Sequence, residues 1–273
     1  MRAVGIILAG GNNNRMKELT HKRAVAAMPI AGSYRSIDFA LSNMTNSHIQ
    51  KVAVLTQYNA RSLNEHLNSS KWWNFGRKQG GLYVFTPTIT NDNGYWYRGT
   101  ADAIYQNMDF LKKSHEPYVV IASGDAVYKM DYSKVLQYHI DKKADVTVVC
   151  KEMDPSDDVS RFGTIRMDDD MRITEFEEKP MVTKSNMIST GIYVIRRRLL
   201  IDLIEHAAEE ERFDFVNDVL IRYKNLKKIY GYKIDHYWSN IATVDAYYKT
   251  NMDFLKPEVR NYFFKQDPEI YSK

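Results

Sequence analysis

The sequence predicts an α/β fold built on a doubly wound, mostly parallel sheet. Short apolar segments alternate along the chain with segments of helical periodicity, an order that gives a parallel sheet with helices on its faces. Two of the apolar segments, YVVIAS (118–123) and DVTVVCKE (145–152), contain few polar residues. Nearly continuous apolar runs of this length are typical of strands that are buried on both faces.

Periodicity and turn residues predict the other elements in order. Strands are expected at 3–8, 51–57 and 187–195, and a hairpin at 162–180 turns at Asp168–Asp170. Helices are expected at 34–47, 60–69, 99–114 and 247–255. The helix at 99–114 is the clearest, because Ile104, Met108 and Leu111 share one face and its charges follow the helix dipole.

Length and composition predict a globular protein of ordinary surface chemistry. The chain has 273 residues, of which 44% are hydrophobic and 26% charged, and its net charge is only +4. The basic residues are scattered, which favours a solvated surface over nucleic-acid binding. The single cysteine, Cys150, excludes an internal disulfide and fits a reducing compartment. With no apolar run of about 18 residues and no signal-peptide pattern, we expect a cytoplasmic protein without a membrane span.

Polar residues follow the strands of the first half, at the sheet edge where ligands bind in this fold class. The first strand ends in GGNNNR (10–15), a loop that can hold a phosphate, and Gln57 follows the second strand. Asp125 follows the strand at 118–123 after a glycine. The aspartate is either a metal-binding group or a turn residue that accepts backbone hydrogen bonds, and its position alone does not decide between these.

The second half offers weaker candidates, each with a structural alternative. Lys179 ends a strand before a proline and is either a site residue or an ordinary surface lysine. Gly191 breaks a strand, which marks the close approach of a ligand or a bulge. The start of the helix at 99–114 attracts anions, while Asp102 in its first turn can simply stabilise the helix. The seven histidines show no ligand spacing, so a zinc site is not expected.

The motifs, taken together, resemble the nucleotidyltransferase domain of ADP-glucose pyrophosphorylase (glucose-1-phosphate adenylyltransferase). Nine blocks fall in the family's order: LAGG…R (8–15), YRSIDFALSNMTNS (34–47), VAVLTQYNARSLNEHL (52–67), WYRGTADAIYQN (96–107), VVIASGDAVYKMDY (119–132), FGTI (162–165), ITEFEEKP (173–180), STGIYV (189–194) and YWSNIATVDAYYKTN (237–251). The resemblance implies a Rossmann-like nucleotidyltransferase fold. The implied reaction joins ATP and glucose 1-phosphate into ADP-glucose and pyrophosphate, with Mg²⁺ neutralising the developing charge.

The resemblance also assigns roles to matching positions. It makes Arg15 the loop arginine and Asp125 the catalytic aspartate and magnesium ligand. The nucleotide-pocket positions are Gln57, Trp96, Tyr97, Gly99 and Thr100, and the glucose 1-phosphate positions are Gly163, Glu178, Lys179, Ser189 and Gly191.

Departures from the family pattern concentrate on the nucleotide and metal side. Asn13 replaces a glycine of the loop, where backbone must approach the triphosphate. Val25 replaces a lysine that lies near the phosphates, and Asn240 replaces the second metal carboxylate. Since Mg²⁺ prefers carboxylate oxygens, these changes weaken the implied metal site. We expect Asn240→Asp and Val25→Lys to raise any residual rate. Ser33 also replaces a lysine that the family ties to activator binding.

Three hypotheses follow. The first is a regulatory, weakly active or inactive subunit of the GlgD type, which pairs with a catalytic ADP-glucose pyrophosphorylase subunit in glycogen synthesis. The second is an active sugar-phosphate nucleotidyltransferase with substituted ligands. The third is a non-catalytic sensor of sugar phosphate or nucleotide sugar. In each case we expect one nucleotidyltransferase-like domain over 1–273. Residues 256–273 would start a linker to the family's C-terminal β-helix domain, which this chain lacks.

Overall fold

The computed structural model describes residues 2–11, 14–76, 80–90 and 94–273. Its strands, in chain order, are β1 (Ala3–Leu8), β2 (Pro29–Ile30), β3 (Tyr34–Arg35), β4 (Lys51–Leu55), β5 (Gly81–Phe85), β6 (Tyr118–Ser123), β7 (Ala126–Tyr128), β8 (Val146–Glu152), β9 (Gly163–Met167), β10 (Ile173–Glu178), β11 (Met187–Arg196), β12 (Ile229–Ile234) and β13 (Trp238–Asn240).

The α-helices are α1 (Ser36–Asn46), α2 (Arg61–Leu67), α3 (Thr100–Gln106), α4 (Met108–Lys112), α5 (Tyr132–Asp141), α6 (Arg197–Glu209), α7 (Val244–Asp253) and α8 (Pro257–Phe264). Short 3₁₀ helices cover Asn14–Thr20, Val25–Ala27 and Ser70–Trp73, and a π-helical turn covers Val216–Ile221. None of the helices in the described ranges combines the length and the apolar character that crossing a membrane requires.

The chain divides into two compact units. The first unit contains residues 1–3, 89–121 and 133–235, and the second contains residues 4–88, 122–132 and 236–273. The prediction of a single domain over 1–273 stays a prediction.

The second unit carries the parallel strands that the sequence predicts. β4 pairs in parallel with β1 and with β5, and the short strands β7 and β13 pair antiparallel. Its core is an apolar cluster of ten buried side chains: Met16, Val25, Met28, Ile30, Phe39, Val127, Ile241, Phe254, Phe263 and Ile270. α1 contributes the fully buried Phe39 to this cluster.

The first unit is mainly antiparallel around one long strand. β11 pairs antiparallel with β6, β8 and β9, and β10 continues as a hairpin from β9. β12 adds a parallel pair with β8. The hairpin turns where the sequence predicts, because the Asp168 carboxylate accepts hydrogen bonds from the amides of Asp170 and Arg172.

Three local predictions need correction. The helix expected at 99–114 is two helices, α3 and α4, which meet at Asn107; the Asn107 side chain donates to the Ala103 carbonyl at 2.8 Å. The segment at 34–35 is a strand before α1 rather than its first turn. The closing helix, α7, covers Val244–Asp253 instead of 247–255. β5, β12 and α6 were not predicted, although the buried Leu200, Leu203, Ile204 and Ala207 give α6 a helical period that could have been noticed.

The C-terminal segment packs more closely than its sequence predicts. A linker would leave its aromatic residues without packing partners, but Phe263 is fully buried and Ile270 is 3% exposed in the core of the second unit. The Lys129 ammonium donates to the carbonyls of Tyr262 and Gln266. Residues 257–270 are therefore part of this unit, and a linker role for 256–273 stays a prediction.

Candidate functional site

In the second unit, the loop after β1 lies beside the end of β4. The Ala9 amide donates to the Leu55 carbonyl at 2.8 Å, and a Cβ atom on Gly10 would lie 3.4 Å from the Cβ of Gln57. The structure thus brings the predicted phosphate loop next to Gln57. Arg15 lies in the exposed 3₁₀ helix that follows, which the buried Met16 anchors in the core. Asn13 lies outside the described residues.

Asp125 occupies a turn between β6 and β7 that the first strand holds in place. The Gly124 amide donates to the Leu8 carbonyl at 3.0 Å, and the Ser123 hydroxyl donates to the Asp125 carboxylate. A Cβ atom on Gly124 would lie 3.3 Å from that of Ala9. The aspartate is therefore fixed beside the phosphate loop, at the end of the strands, as the sequence predicts.

Asn240, on β13, also lies next to the turn that contains Asp125. It pairs with Ala126 in the β7–β13 ladder, and the next amide, that of Ile241, donates to the Asp125 carbonyl at 2.9 Å. The Asn240 side-chain oxygen accepts a hydrogen bond from the Ala242 amide at 3.0 Å. This oxygen is neutral and holds a turn, where the family pattern has a carboxylate.

Val25 lies in the apolar core of the second unit. Its 3₁₀ helix, Val25–Ala27, follows the segment 14–20, and only 8% of the Val25 surface is exposed. It belongs to the same cluster as Ile241 and Val127, which neighbour Asn240 and Asp125 along the chain. The position that carries a phosphate-facing lysine in the family pattern is thus filled by an apolar contact.

A metal ion finds few ligands in this arrangement. No group of three or more His, Cys, Asp or Glu side chains in the described part of the chain is placed to hold a metal ion. Asp125 supplies one carboxylate, which already accepts a hydrogen bond from Ser123. Magnesium is usually bound by one or two protein carboxylates and by the phosphates of its substrate. With Asp125 alone, the protein supplies the smaller of these numbers.

The first unit holds the other half of the predicted residues, beginning with the segment before α3. Trp96 is 61% exposed, whereas Tyr97 is buried and its hydroxyl accepts a hydrogen bond from Asn107 at 2.9 Å. Burial raises the pKa of Tyr97 above its ordinary value. Gly99 has no room for a side chain, because a Cβ atom there would lie 2.4 Å from the Phe213 carbonyl oxygen.

Glu178 and Lys179 end β10 as an acid–base pair. The Lys179 ammonium lies 3.2 Å from the Glu178 carboxylate, whose side chain is 15% exposed against 59% for the lysine. Burial raises the pKa of Glu178, while the Lys179 charge opposes that rise. A Cβ atom on Gly163 would lie 2.8 Å from the Phe176 ring and 2.9 Å from a Glu178 carboxylate oxygen, so the glycine leaves room for both side chains.

The backbone of Lys179 adopts a left-handed conformation. Its φ is +46°, in the left-handed region that only glycine and asparagine adopt readily, and its amide donates to the Phe162 carbonyl at 3.1 Å. Such a conformation costs about 1 kcal/mol and persists where the surroundings impose it. Lys17 and Lys143 also have positive φ, so the strain by itself does not decide between a binding lysine and an ordinary surface lysine.

Ser189 and Gly191 lie on β11 where its register with β8 shifts, so the strand contains the bulge that the glycine predicts. Gly191 has a φ of +75°. The Ser189 hydroxyl is 3.2 Å from the hydroxyl of the buried Tyr193. The bulge interrupts the regular pairing of β11 with β8. Ser189, at its start, is 7% exposed.

Sequence reasoning missed two polar residues of this group, Tyr193 and Asp214. Burial, more than any other cause, raises the pKa of Tyr193, and the charges of Glu178 and Asp214 raise it further. The Asp214 charge also raises the pKa of Glu178. The two acids and the tyrosine therefore lie close enough to interact electrostatically. Asp214 could have been noticed only as an acid between two phenylalanines in RFDFVND (212–218).

The predicted residues thus fall into two sets. Arg15, Gln57, Asp125 and Asn240 belong to the second unit. Trp96, Tyr97, Gly99, Thr100, Gly163, Glu178, Lys179, Ser189 and Gly191 belong to the first. We call Glu178, Lys179, Ser189 and Tyr193 the polar cluster. Within each unit, the structure brings together residues that are far apart in sequence.

The fold is that of a nucleotidyltransferase. The chain belongs to the nucleotidyl transferase family, whose family model matches residues 4–257. A crystal structure from Bacillus anthracis, assigned as a glucose-1-phosphate thymidylyltransferase in complex with a sucrose, shares the fold with a TM-score of 0.73. The match covers 92% of this chain and 94% of that one at 21% identity.

Within that family, the chain is a member of the glucose-1-phosphate adenylyltransferase group. It is 40% identical over 272 residues to the glucose-1-phosphate adenylyltransferase of Clostridium novyi (strain NT), covering 98% of this chain and 71% of the relative. It is 41% identical over 274 residues to that of Bacillus anthracis (99% and 73%) and 42% identical over 272 residues to that of Clostridium botulinum (strain Alaska E43 / Type E3; 98% and 70%). The family predicted from the motifs is confirmed.

Proposed function

We propose that this chain is a regulatory, weakly active subunit of glucose-1-phosphate adenylyltransferase that binds glucose 1-phosphate and pairs with a catalytic subunit in glycogen biosynthesis. The observation that carries the proposal is the burial of Val25 among apolar side chains, at the position where the family pattern has a lysine near the phosphates. Without that cation, the nucleotide side lacks a charge that would face a triphosphate.

The metal side supports the same proposal. The protein offers a magnesium ion one carboxylate, Asp125, and one amide oxygen, Asn240, which holds its own turn. By Coulomb's law, the attraction between a magnesium ion and a second carboxylate at ligand distance amounts to several kcal/mol, even at an effective dielectric constant of about 20. If about 3–4 kcal/mol of that appeared in the barrier, the rate would fall a few hundred-fold. This donor set would hold a magnesium ion more weakly than two carboxylates would.

The sugar side supports retained binding. Lys179 supplies a cation, and Glu178, Ser189 and Tyr193 supply acceptors and hydroxyl groups of the kind that hydrogen-bond a sugar. Gly163 leaves room for the Glu178 carboxylate, and Gly191, with its positive φ, lies in the bulge that follows Ser189. We therefore assign a sugar phosphate such as glucose 1-phosphate, rather than ATP, as the ligand of the isolated chain.

A second candidate is an active adenylyltransferase. It is favoured by the 40–42% identity to relatives of that name and by the fixed position of Asp125 beside the phosphate loop. Formation of ADP-glucose by the isolated chain at the rate of such a relative would select this candidate over the regulatory subunit.

Replacing Lys179 with methionine tests the sugar-phosphate part of the proposal. Lys179→Met keeps the length of the side chain and removes the ammonium, and we expect the affinity for glucose 1-phosphate to fall about 10–100-fold, the size of a charge-assisted hydrogen bond to phosphate. Isothermal titration calorimetry without nucleotide measures this.

Lys184→Met is the matched control for that variant. Lys184 is equally exposed, at 57% against 59%, and pairs with Glu177 on the same hairpin. Its loss should leave the affinity within about twofold, the ordinary range for a surface substitution. Equal losses in both variants, or none in either, would rule out the polar cluster as the sugar-phosphate site.

A further inference from the structure

The tripeptide Phe213–Asp214–Phe215, which we call the linking tripeptide, contacts the start of α3 through its backbone. The Phe213 carbonyl accepts hydrogen bonds from the amides of Ala101, at 2.8 Å, and Asp102, at 3.3 Å. The Phe215 amide donates to the Thr100 hydroxyl at 2.9 Å. A Cβ atom on Gly99 would lie 2.4 Å from the Phe213 carbonyl oxygen, so the two backbones approach each other closely at this junction.

Arg98 strengthens the same junction from the side. Its guanidinium lies 3.9 Å from the centre of the Phe213 ring and 3.2 Å from the carboxylate of Asp102, which is almost fully buried. The Arg98 amide also donates to Asp102 at 2.9 Å. A cation stacked on a ring and paired with a buried acid has few alternative positions, so the segment before α3 is tied to Phe213.

The Phe215 ring contacts the polar cluster, and the Asp214 charge acts on it. The Asp214 carboxylate acts electrostatically on both Glu178 and Tyr193. The Phe215 ring packs edge-on against the Tyr193 ring, with 5.3 Å between the ring centres. Asp218 also holds the tripeptide, because its carboxylate accepts hydrogen bonds from the amides of Phe213 and Asp214. All these residues lie in the first unit.

We infer that the linking tripeptide couples the polar cluster to residues 96–102, so that a sugar phosphate bound at Glu178, Lys179 and Tyr193 restrains the segment that carries Trp96 and Thr100. The inference rests on the proposed binding of a sugar phosphate. A sugar that hydrogen-bonds Glu178 and Tyr193 changes the surroundings of Asp214 and Phe215. Their neighbour Phe213 transmits the change, because its carbonyl caps α3.

All the residues that would carry this coupling belong to the first unit. A ligand shifts a conformational equilibrium only through contacts that differ between two states, and here those contacts are the hydrogen bonds of the tripeptide to Thr100, Ala101 and Asp102. Since coupling is reciprocal, loosening this junction should also weaken sugar-phosphate binding by the same factor. Thr100 is thus a positioning residue, which acts on the polar cluster through Phe215.

Hydrogen–deuterium exchange with glucose 1-phosphate as the probe tests the coupling. In the wild-type chain, saturating glucose 1-phosphate should slow exchange in a peptide covering 96–106 by about fivefold or more, together with slowing at 187–196. Thr100→Val removes the acceptor for the Phe215 amide at nearly constant volume. It should abolish most of the slowing at 96–106, keep that at 187–196, and lower the affinity a few-fold.

The control is Thr174→Val, the same substitution at an exposed position of β10, which should behave as wild type. Phe213→Leu, which removes the ring under Arg98, is a second variant with the expected loss of slowing, in case Thr100→Val folds poorly. Binding in calorimetry without slower exchange at 96–106 in the wild type would overturn the coupling alone. Absence of any binding would overturn both the coupling and the proposed sugar-phosphate ligand.

Discussion

Asn240→Asp should raise the rate of ADP-glucose formation by the isolated chain about 10–100-fold, the largest gain that we expect from one substitution. The new carboxylate would lie on β13 opposite Ala126, next to the turn that holds Asp125. Two carboxylates at this place meet the ordinary needs of a magnesium ion that also binds substrate phosphates. The rate, with the Mg²⁺ concentration that half-saturates it, is measured by pyrophosphate release.

Asn68→Asp is the control for charge alone. It creates the same carboxylate on an exposed asparagine at the end of α2, so it should leave the rate within about twofold. If Asn240→Asp gives no more activity than Asn68→Asp, and the half-saturating Mg²⁺ concentration does not fall, the defect does not lie at Asn240.

Val25→Lys should destabilise the protein by about 3 kcal/mol, because it brings an ammonium group into the apolar cluster with Ile241 and Val127. From the sequence alone we expected this substitution to raise the residual rate. The structure changes the expected result: a lysine here must break apolar contacts before it can reach a phosphate. Urea unfolding at pH 7, followed by circular dichroism, measures the free energy of unfolding.

Val182→Lys provides the comparison, since Val182 is 73% exposed and the same change there should cost within about 0.5 kcal/mol. Equal unfolding free energies for the two variants would mean that Val25 is not confined by the cluster. If Val25→Lys also raised the rate of ADP-glucose formation, the missing cation would be part of the defect, and the expectation that apolar contacts keep this lysine from a phosphate would be wrong.

Much of the fold follows from local sequence patterns. β1, β6 and β8 are visible because buried strands of a sheet are apolar on both faces, and the hairpin of β9 and β10 is visible because Asp168 can hold a turn with its own side chain. The break between α3 and α4 could not be predicted. It depends on Asn107, which bonds the Ala103 carbonyl and the Tyr97 hydroxyl, and such contacts need the folded neighbours.

The candidate site shows the same division. Asp125 and Lys179 follow strands and Glu178 ends one, so their places at strand ends were predictable from position. Asp214 was not, because it reaches the polar cluster from a loop whose position is set by the close approach of Phe213 to Gly99. The packing of Val25 was also invisible: a valine in RAVAA (23–27) has no sequence signal that separates a core residue from a lost cation.

The most direct test of the central claim compares this chain alone, a catalytic relative alone and their mixture in one assay of ADP-glucose formation from Mg·ATP and glucose 1-phosphate. We expect the isolated chain to work about 100-fold or more slowly than the relative, and the mixture to differ from the relative alone in turnover or in its response to activators. A rate for the isolated chain equal to that of the relative, with no change on mixing, would contradict the proposed regulatory role.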